Sequence, residues 1–208
     1  LLAVAVLAVS TSGPIIAACA APALAIAFWR CALGSGATGP VVWWRHRGEI
    51  GALARRELAL MALAGGLLAA HFATWIPSLR FTSVASSTAL VATQPVWAAI
   101  IARWRGATVA PRVWVGIAIA LAGVLVLTGI DVAIDPRALV GDLLALAGGV
   151  LAAAYVTAGA EVRQQVSTAS YTFVAYGVAG LALLAVCVVA RVPLGGWSAR
   201  DWWLIVAL

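Results

Sequence analysis

Residues 71–104 read HFATWIPSLRFTSVASSTALVATQPVWAAIIARW. The stretch holds the end of one apolar run, a short connection with Arg80, and a second apolar run that closes on Arg103 and Trp104. A helix needs about 20 mostly apolar residues to cross the hydrocarbon core of a bilayer. The same pattern continues on both sides. Windows of this kind fall at roughly 1–20, 22–44, 58–78, 84–102, 113–130, 138–158 and 171–190, and an eighth opens at Asp201 with DWWLIVAL. The expected fold is therefore an all-α integral membrane protein, a bundle of about seven complete transmembrane helices plus the start of an eighth.

Composition leads to the same class. Of 208 residues, 64% are hydrophobic and 10% charged, against about 45–50% apolar and about 25% charged in a soluble domain. Too few charges are present to cover a globule of this size, so lipid must form the outer layer. The net charge of +6 comes from 13 basic residues, all arginine. They lie in short loops between apolar runs, which is how membrane proteins orient themselves, so no nucleic-acid partner is expected. The arginine-for-lysine bias, with abundant alanine, reads as GC-rich coding rather than chemistry. Cys19, Cys31 and Cys187 are odd in number, lack C-x-x-C spacing and sit in apolar runs, so they are expected to be small buried hydrophobes.

The chain begins with Leu1 rather than Met, inside an apolar run, and stops inside another, so both ends are expected to continue. A rival reading of the first window is a signal peptide or a lipoprotein site at Cys19, but no basic segment precedes it. Eight loop arginines lie on one side (Arg45, Arg47, Arg55, Arg56, Arg103, Arg105, Arg112, Arg163) and four on the other (Arg80, Arg137, Arg191, Arg200). That bias sets the first group, and the N-terminus, in the cytoplasm. Trp43, Trp44, Trp104, Trp114, Trp197, Trp202 and Trp203 fall at span ends, where amphipathic rings prefer the headgroup layer. Small residues four apart, Gly65 with Ala69, Gly66 with Ala70, Gly116 with Ala120 and Gly149 with Ala153, predict close helix contacts.

The informative residues are the polar ones at membrane depth. His71 lies past the middle of the third span with Trp75 one turn on; it is either a substrate or proton contact or a buried histidine bonded to a neighbouring helix. Arg30 lies about 12 Å into the second span, where a cation costs about 2.5–3.5 kcal/mol. Substrate binding, snorkelling beside Trp29, and pairing with helix carbonyls all remain open for it. Ser87 and Gln94 share a face of the fourth span, and Pro95 cannot donate to Val91, so a kink and a wet cavity are expected there. Ser10 and Pro14 interrupt the first span in the same way. Tyr155 is a candidate cavity residue of the sixth span, while Asp142 reads as a helix-terminus charge. No H-E-x-x-H, G-x-S-x-G, Walker loop or acidic pair within a span occurs, and the GSG at Gly34 is too short to cradle phosphate, so neither an enzyme nor a cofactor or metal is expected.

The 71–104 stretch followed by PRVWVGIAIALAGVLVLTG, with Pro95, Gly116 and Gly123, closely resembles the EamA-type repeat of the drug/metabolite transporter superfamily. AFWRCALG around Arg30 resembles the start of the family's second span, and GDLLALAGGVLAAAYVTAGAEV the opening of its second repeat. The resemblance implies a ten-helix fold of two inverted five-helix repeats. Residues 1–137 would then be the first repeat and 138–208 an incomplete second one. It also implies a central cavity lined by helices 1, 3, 4 and 6, the spans of Ser10, His71, Trp75, Gln94 and Tyr155. The family's Gly-Glu pair after the fourth span is replaced by Gly106 and Ala107. The function implied is a secondary transporter exporting a small metabolite, an amino acid or related compound, by alternating access. Substrate contacts are expected at His71, Trp75, Gln94, Tyr155, Ser10 and Arg30, helix kinks at Pro14 and Pro95, with proton coupling through His71 left open against facilitated diffusion. The alternative from another class is a non-transporting membrane scaffold or lipid-modifying component, which needs no water-accessible hollow at the midplane.

Overall fold

In a computed structural model the chain is described over residues 2–208, with side chains from Ser10 onward apart from Val132. Leu1, where the first expected span begins, lies outside the described residues. Among the described residues all regular structure is helical. The elements are α1 (Leu2–Ala18), α2 (Ala23–Arg45), α3 (Arg55–Ser78), α4 (Val84–Val91), α5 (Gln94–Trp104), α6 (Pro111–Ile134), α7 (Ala138–Gly159), α8 (Thr168–Val189) and α9 (Ala199–Val206), with a 3-10 turn at Val162–Gln164.

Five stretches are long and apolar enough to cross a membrane: Arg55–Ser78, Val84–Trp104, Pro111–Asp131, Ala138–Gly159 and Thr168–Val189. The windows at 1–20 and 22–44 also form helices, but α1 has 17 residues and α2 is diluted by Arg30, Gly34, Ser35, Gly36, Thr38 and Pro40. The outer surface is apolar. Val115, Ile119, Leu125 and Val126 of α6, and Leu181, Val188 and Val189 of α8, are all exposed, a surface that water would not tolerate at this extent and that lipid accepts. The protein is an α-helical membrane bundle.

The spans alternate in direction. On α2 and α8, methyls placed on Gly34 and Gly39 would meet Tyr176 and Phe173, and Gly180 faces Cys31, while the Ser35 hydroxyl donates to the Phe173 carbonyl at 3.1 Å. Numbers rise on one helix as they fall on the other, so the two are antiparallel. The GSG step is thus a place where two backbones approach, as small residues permit in lipid. The α3 and α7 helices are antiparallel too, with His71 and Trp75 at Gly148 and Phe81 and Thr82 at Gly141.

Hydrogen bonds tie the loops at each end. At one end Arg56 (2.8 Å) and Arg105 (3.4 Å) both reach Glu161, and the Ser167 amide donates to Glu49 at 2.9 Å. At the other, Arg80 donates to the Cys19 and Ala21 carbonyls at 2.6 and 3.1 Å, Asp201 accepts from the Ala20 amide at 2.9 Å, and Thr82 donates to Asp142 at 2.7 Å. An aromatic cluster joins the second end: Trp29 and Trp197 each lie within 5.2 Å of Trp202, ring centre to ring centre, and the Trp29 indole donates to the Leu194 carbonyl at 2.9 Å. Cys19, Cys31 and Cys187 are buried and unpaired, small hydrophobes as the sequence suggests.

Candidate functional site

The fourth expected span departs most from a regular helix. It breaks at Ala92–Thr93 into α4 and α5, and Pro95 falls in the first turn of the second piece. A proline there loses nothing, because the first amides of a helix have no intrahelical partner. At the break the Leu90 carbonyl accepts the Thr93 amide at 3.1 Å and the Thr93 hydroxyl at 2.6 Å, and the Trp97 indole donates to the same oxygen of Thr93 at 3.1 Å. Gly149 of α7 covers the break: a methyl there would lie 3.1 Å from the Leu90 carbonyl oxygen and 3.4 Å from that of Val91. Thr93, 3% exposed, is the residue that sequence reasoning passed over. Its signal was a hydroxyl two positions before a proline inside an apolar run.

Beside this break lies a groove of about 450 Å³ between α4, α5 and α6, lined by Ala89, Ala92, Pro95, Gly116 and Ala120. It is apolar, and Gly116 with Ala120, a pair marked by spacing alone, forms its far wall. Gln94 is half-buried and does not line it. Ser87 turns instead to Ser78 of α3, with the two hydroxyl oxygens 2.7 Å apart.

A second set of polar groups converges where α2, α3, α7 and α8 meet. His71 is 8% exposed; its Nδ1 lies 2.8 Å from the Gly148 carbonyl. A carbonyl only accepts, so Nδ1 carries the hydrogen and Nε2 is left as the free nitrogen of the ring. The imidazole stacks on Trp75 (5.6 Å, 14° between planes) and touches Phe72 (4.9 Å). The Arg30 guanidinium sits over the Phe72 ring, 5.1 Å from its centre, in cation–π geometry. Arg30, Phe72, His71 and Trp75 thus form one chain of ring and cation contacts across α2 and α3. Tyr155 of α7, half-buried, borders it and lies 6.2 Å from Tyr171 of α8.

The structure therefore brings Arg30, His71, Trp75 and Tyr155 to one region. Ser10 and Gln94 are not joined to them: Ser10 is exposed on α1, where Ser12 is the buried hydroxyl. Pro14 is exposed inside α1, and the neighbouring Gly13 approaches the Thr88 hydroxyl of α4. Asp142, the expected helix-terminus charge, is 7% exposed and takes the Thr82 hydroxyl.

The model of the EamA-like transporter family matches residues 1–129 of the 208. The chain belongs to the EamA-like transporter family. It is accordingly a transporter-like membrane protein of the drug/metabolite transporter superfamily, with a small-molecule substrate and a bilayer as its surroundings. The match spans α1 to most of α6 and so includes Arg30, His71, Trp75 and the α4–α5 break, whereas Tyr155 and Tyr171 lie beyond it. No curated protein and no solved structure matches this EamA-like chain.

Proposed function

We propose that the protein is a secondary transporter of the bacterial inner membrane, exporting a small metabolite, an amino acid or related compound, by alternating access. In this reading residues 1–137 are a first five-helix repeat and 138–208 the first part of an inverted second one. The chain then holds seven complete spans and the start of an eighth, out of ten. The observation that carries the reading is the antiparallel contact of α2 with α8. These are the second helices of the two repeats, and a pseudo-two-fold axis in the membrane plane brings equivalent helices together head to tail. The polar cluster of Arg30, His71 and Trp75 lies beside that contact, with Tyr155 from the second repeat, as expected for a substrate path between repeats. Gln94 and Ser10 complete the proposed lining only in a conformation that opens α1 and α5 toward it. The arginine-rich end, with Arg56 and Arg105 on Glu161, faces the cytoplasm.

The test is efflux of amino acids from proteoliposomes against protein-free controls. The free Nε2 of His71 is the proposed proton carrier if transport is coupled. His71→Gln is then expected to flatten the pH dependence of efflux, and an unchanged profile would remove His71 as the carrier. A non-transporting scaffold predicts that cysteines placed at Trp75 or Gln94 resist aqueous thiol reagents from both sides.

A further inference from the structure

A hollow of about 530 Å³ opens between α2, α8 and α9, lined by Arg30, Gly34, Thr38, Thr172, Tyr176 and Ile205 among others. Its size is that of a metabolite site. Arg30 lies seven helical rises into α2, about 10 Å along the helix, at a depth where a cation is tolerated only with a partner. Among the described residues the Tyr176 hydroxyl is beside it, but no carboxylate is paired with it. Nη1 of Arg30 is buried without a hydrogen-bond acceptor, and the three ion pairs among the described residues all lie elsewhere, at His46–Glu49, Arg56–Glu161 and Arg105–Glu161. Phe72 supplies a cation–π face under Arg30, and an aromatic face does not satisfy the in-plane N–H donors of a guanidinium, so Nη1 stays unpaired. A buried cationic donor with no carboxylate to meet it costs free energy until an acceptor arrives.

We infer that the Arg30 hollow is an anion subsite that takes the carboxylate of the transported compound, so that the protein selects carboxylate-bearing solutes and rejects their neutral and purely cationic analogues. A planar guanidinium matches a carboxylate with two parallel hydrogen bonds, which an ammonium cannot reproduce. Thr38, Thr172 and Tyr176 line the same hollow; the Thr38 hydroxyl, which donates to the Gly34 and Ser35 carbonyls, keeps only its acceptor side for the solute. This rests on the transporter reading above and assigns its substrate class.

The experiment uses three radiolabelled panels in phosphatidylcholine proteoliposomes: L-amino acids, the corresponding amino-acid amides, and the corresponding decarboxylated amines. Wild type is expected to move at least one amino acid, with its amide and amine at least tenfold slower. Arg30→Gln is expected to lose that tenfold preference, and Arg30→Lys, which keeps the charge but not the fork, to retain part of it. Amides or amines moving as fast as the acids, or a preference that survives Arg30→Gln, overturns the carboxylate assignment and leaves the transporter reading standing. No compound of any panel crossing faster than in protein-free liposomes overturns both. Anionic lipid is the other source of the same chemistry. Adding phosphatidylglycerol to the vesicles is expected to leave amino-acid efflux unchanged; its suppression in wild type but not in Arg30→Gln would give the subsite to a lipid headgroup instead.

Discussion

Gly65 and Gly66 are neighbours in the chain and opposites in the fold. A methyl on Gly65 would lie 2.6 Å from the Val178 Cβ and 2.8 Å from the Ala175 carbonyl oxygen of α8, while one on Gly66 meets nothing within 4 Å. Gly65→Ala must therefore push α3 from α8, at a cost of about 1–3 kcal/mol of overpacking. Gly66→Ala gains up to about 1 kcal/mol of helix propensity. Thermal unfolding in detergent is expected to show a clear fall in Tm for the first and no fall for the second. Thr93 is the other position where one atom decides. Thr93→Val keeps the shape and leaves the Leu90 carbonyl its backbone amide partner, but it removes the acceptor of the Trp97 indole, an expected loss of about 1–3 kcal/mol. Pro95→Ala is expected to cost less than Thr93→Val, since a first-turn position has no amide bond to restore. The reverse order of Tm values would mean that Pro95, not the threonine, holds the break.

Among elements, the link between the α2–α3 connection and α8 is the one that responds to acid. Glu49 lies outside the spans; the Ser170 hydroxyl, then the amide and hydroxyl of Ser167, with His46 beside it, hold its carboxyl down from 4.5 to about 2. A depressed carboxyl contributes stability that is fully present above its ordinary value and drains away as pH falls toward the folded one. The wild-type Tm is accordingly expected to fall between about pH 4.5 and 2 by more than that of Glu49→Gln, which carries no titrating proton there. Parallel pH curves for the two would remove Glu49 from the link. The α4–α5 break belongs to this scale as well. Pro95 marks it in the sequence, but the sequence does not tell a kink from two separate helices. The tertiary structure shows the two pieces, with Gly149, which has no side chain there, letting α7 lie close against the carbonyls of Leu90 and Val91.

For the whole molecule, the alternation of spans gathers the connections after α2, α5 and α7 at one end, where Arg56, Arg105 and Glu161 meet, and those after α1, α3, α6 and α8 at the other. Cysteine introduced at Ala107, in a background whose native buried cysteines are replaced, is expected to react with an impermeant thiol reagent only in inside-out vesicles. Cysteine at Gly195 should react only in right-side-out ones, and the opposite pattern would invert the orientation drawn from the arginines. Hydrophobic run length, arginine placement and span-end tryptophan are local properties of the chain, so the sequence alone determined that this is a bundle of apolar helices in a bilayer and roughly where each helix begins and ends. It also marked Arg30, His71 and Trp75 as out of place in lipid, because the cost of a polar group at that depth depends on the residue and the solvent. Which of them share a site was decided only by tertiary structure. Lipid imposes no inward face on a helix whose apolar residues run all round it, so facing is set by close fits such as Gly148 against Trp75 and Gly34 against Tyr176, between residues far apart in the chain. Those fits put Arg30 over Phe72 and leave Ser10 on the outside, a distinction that periodicity in a uniformly greasy helix does not encode.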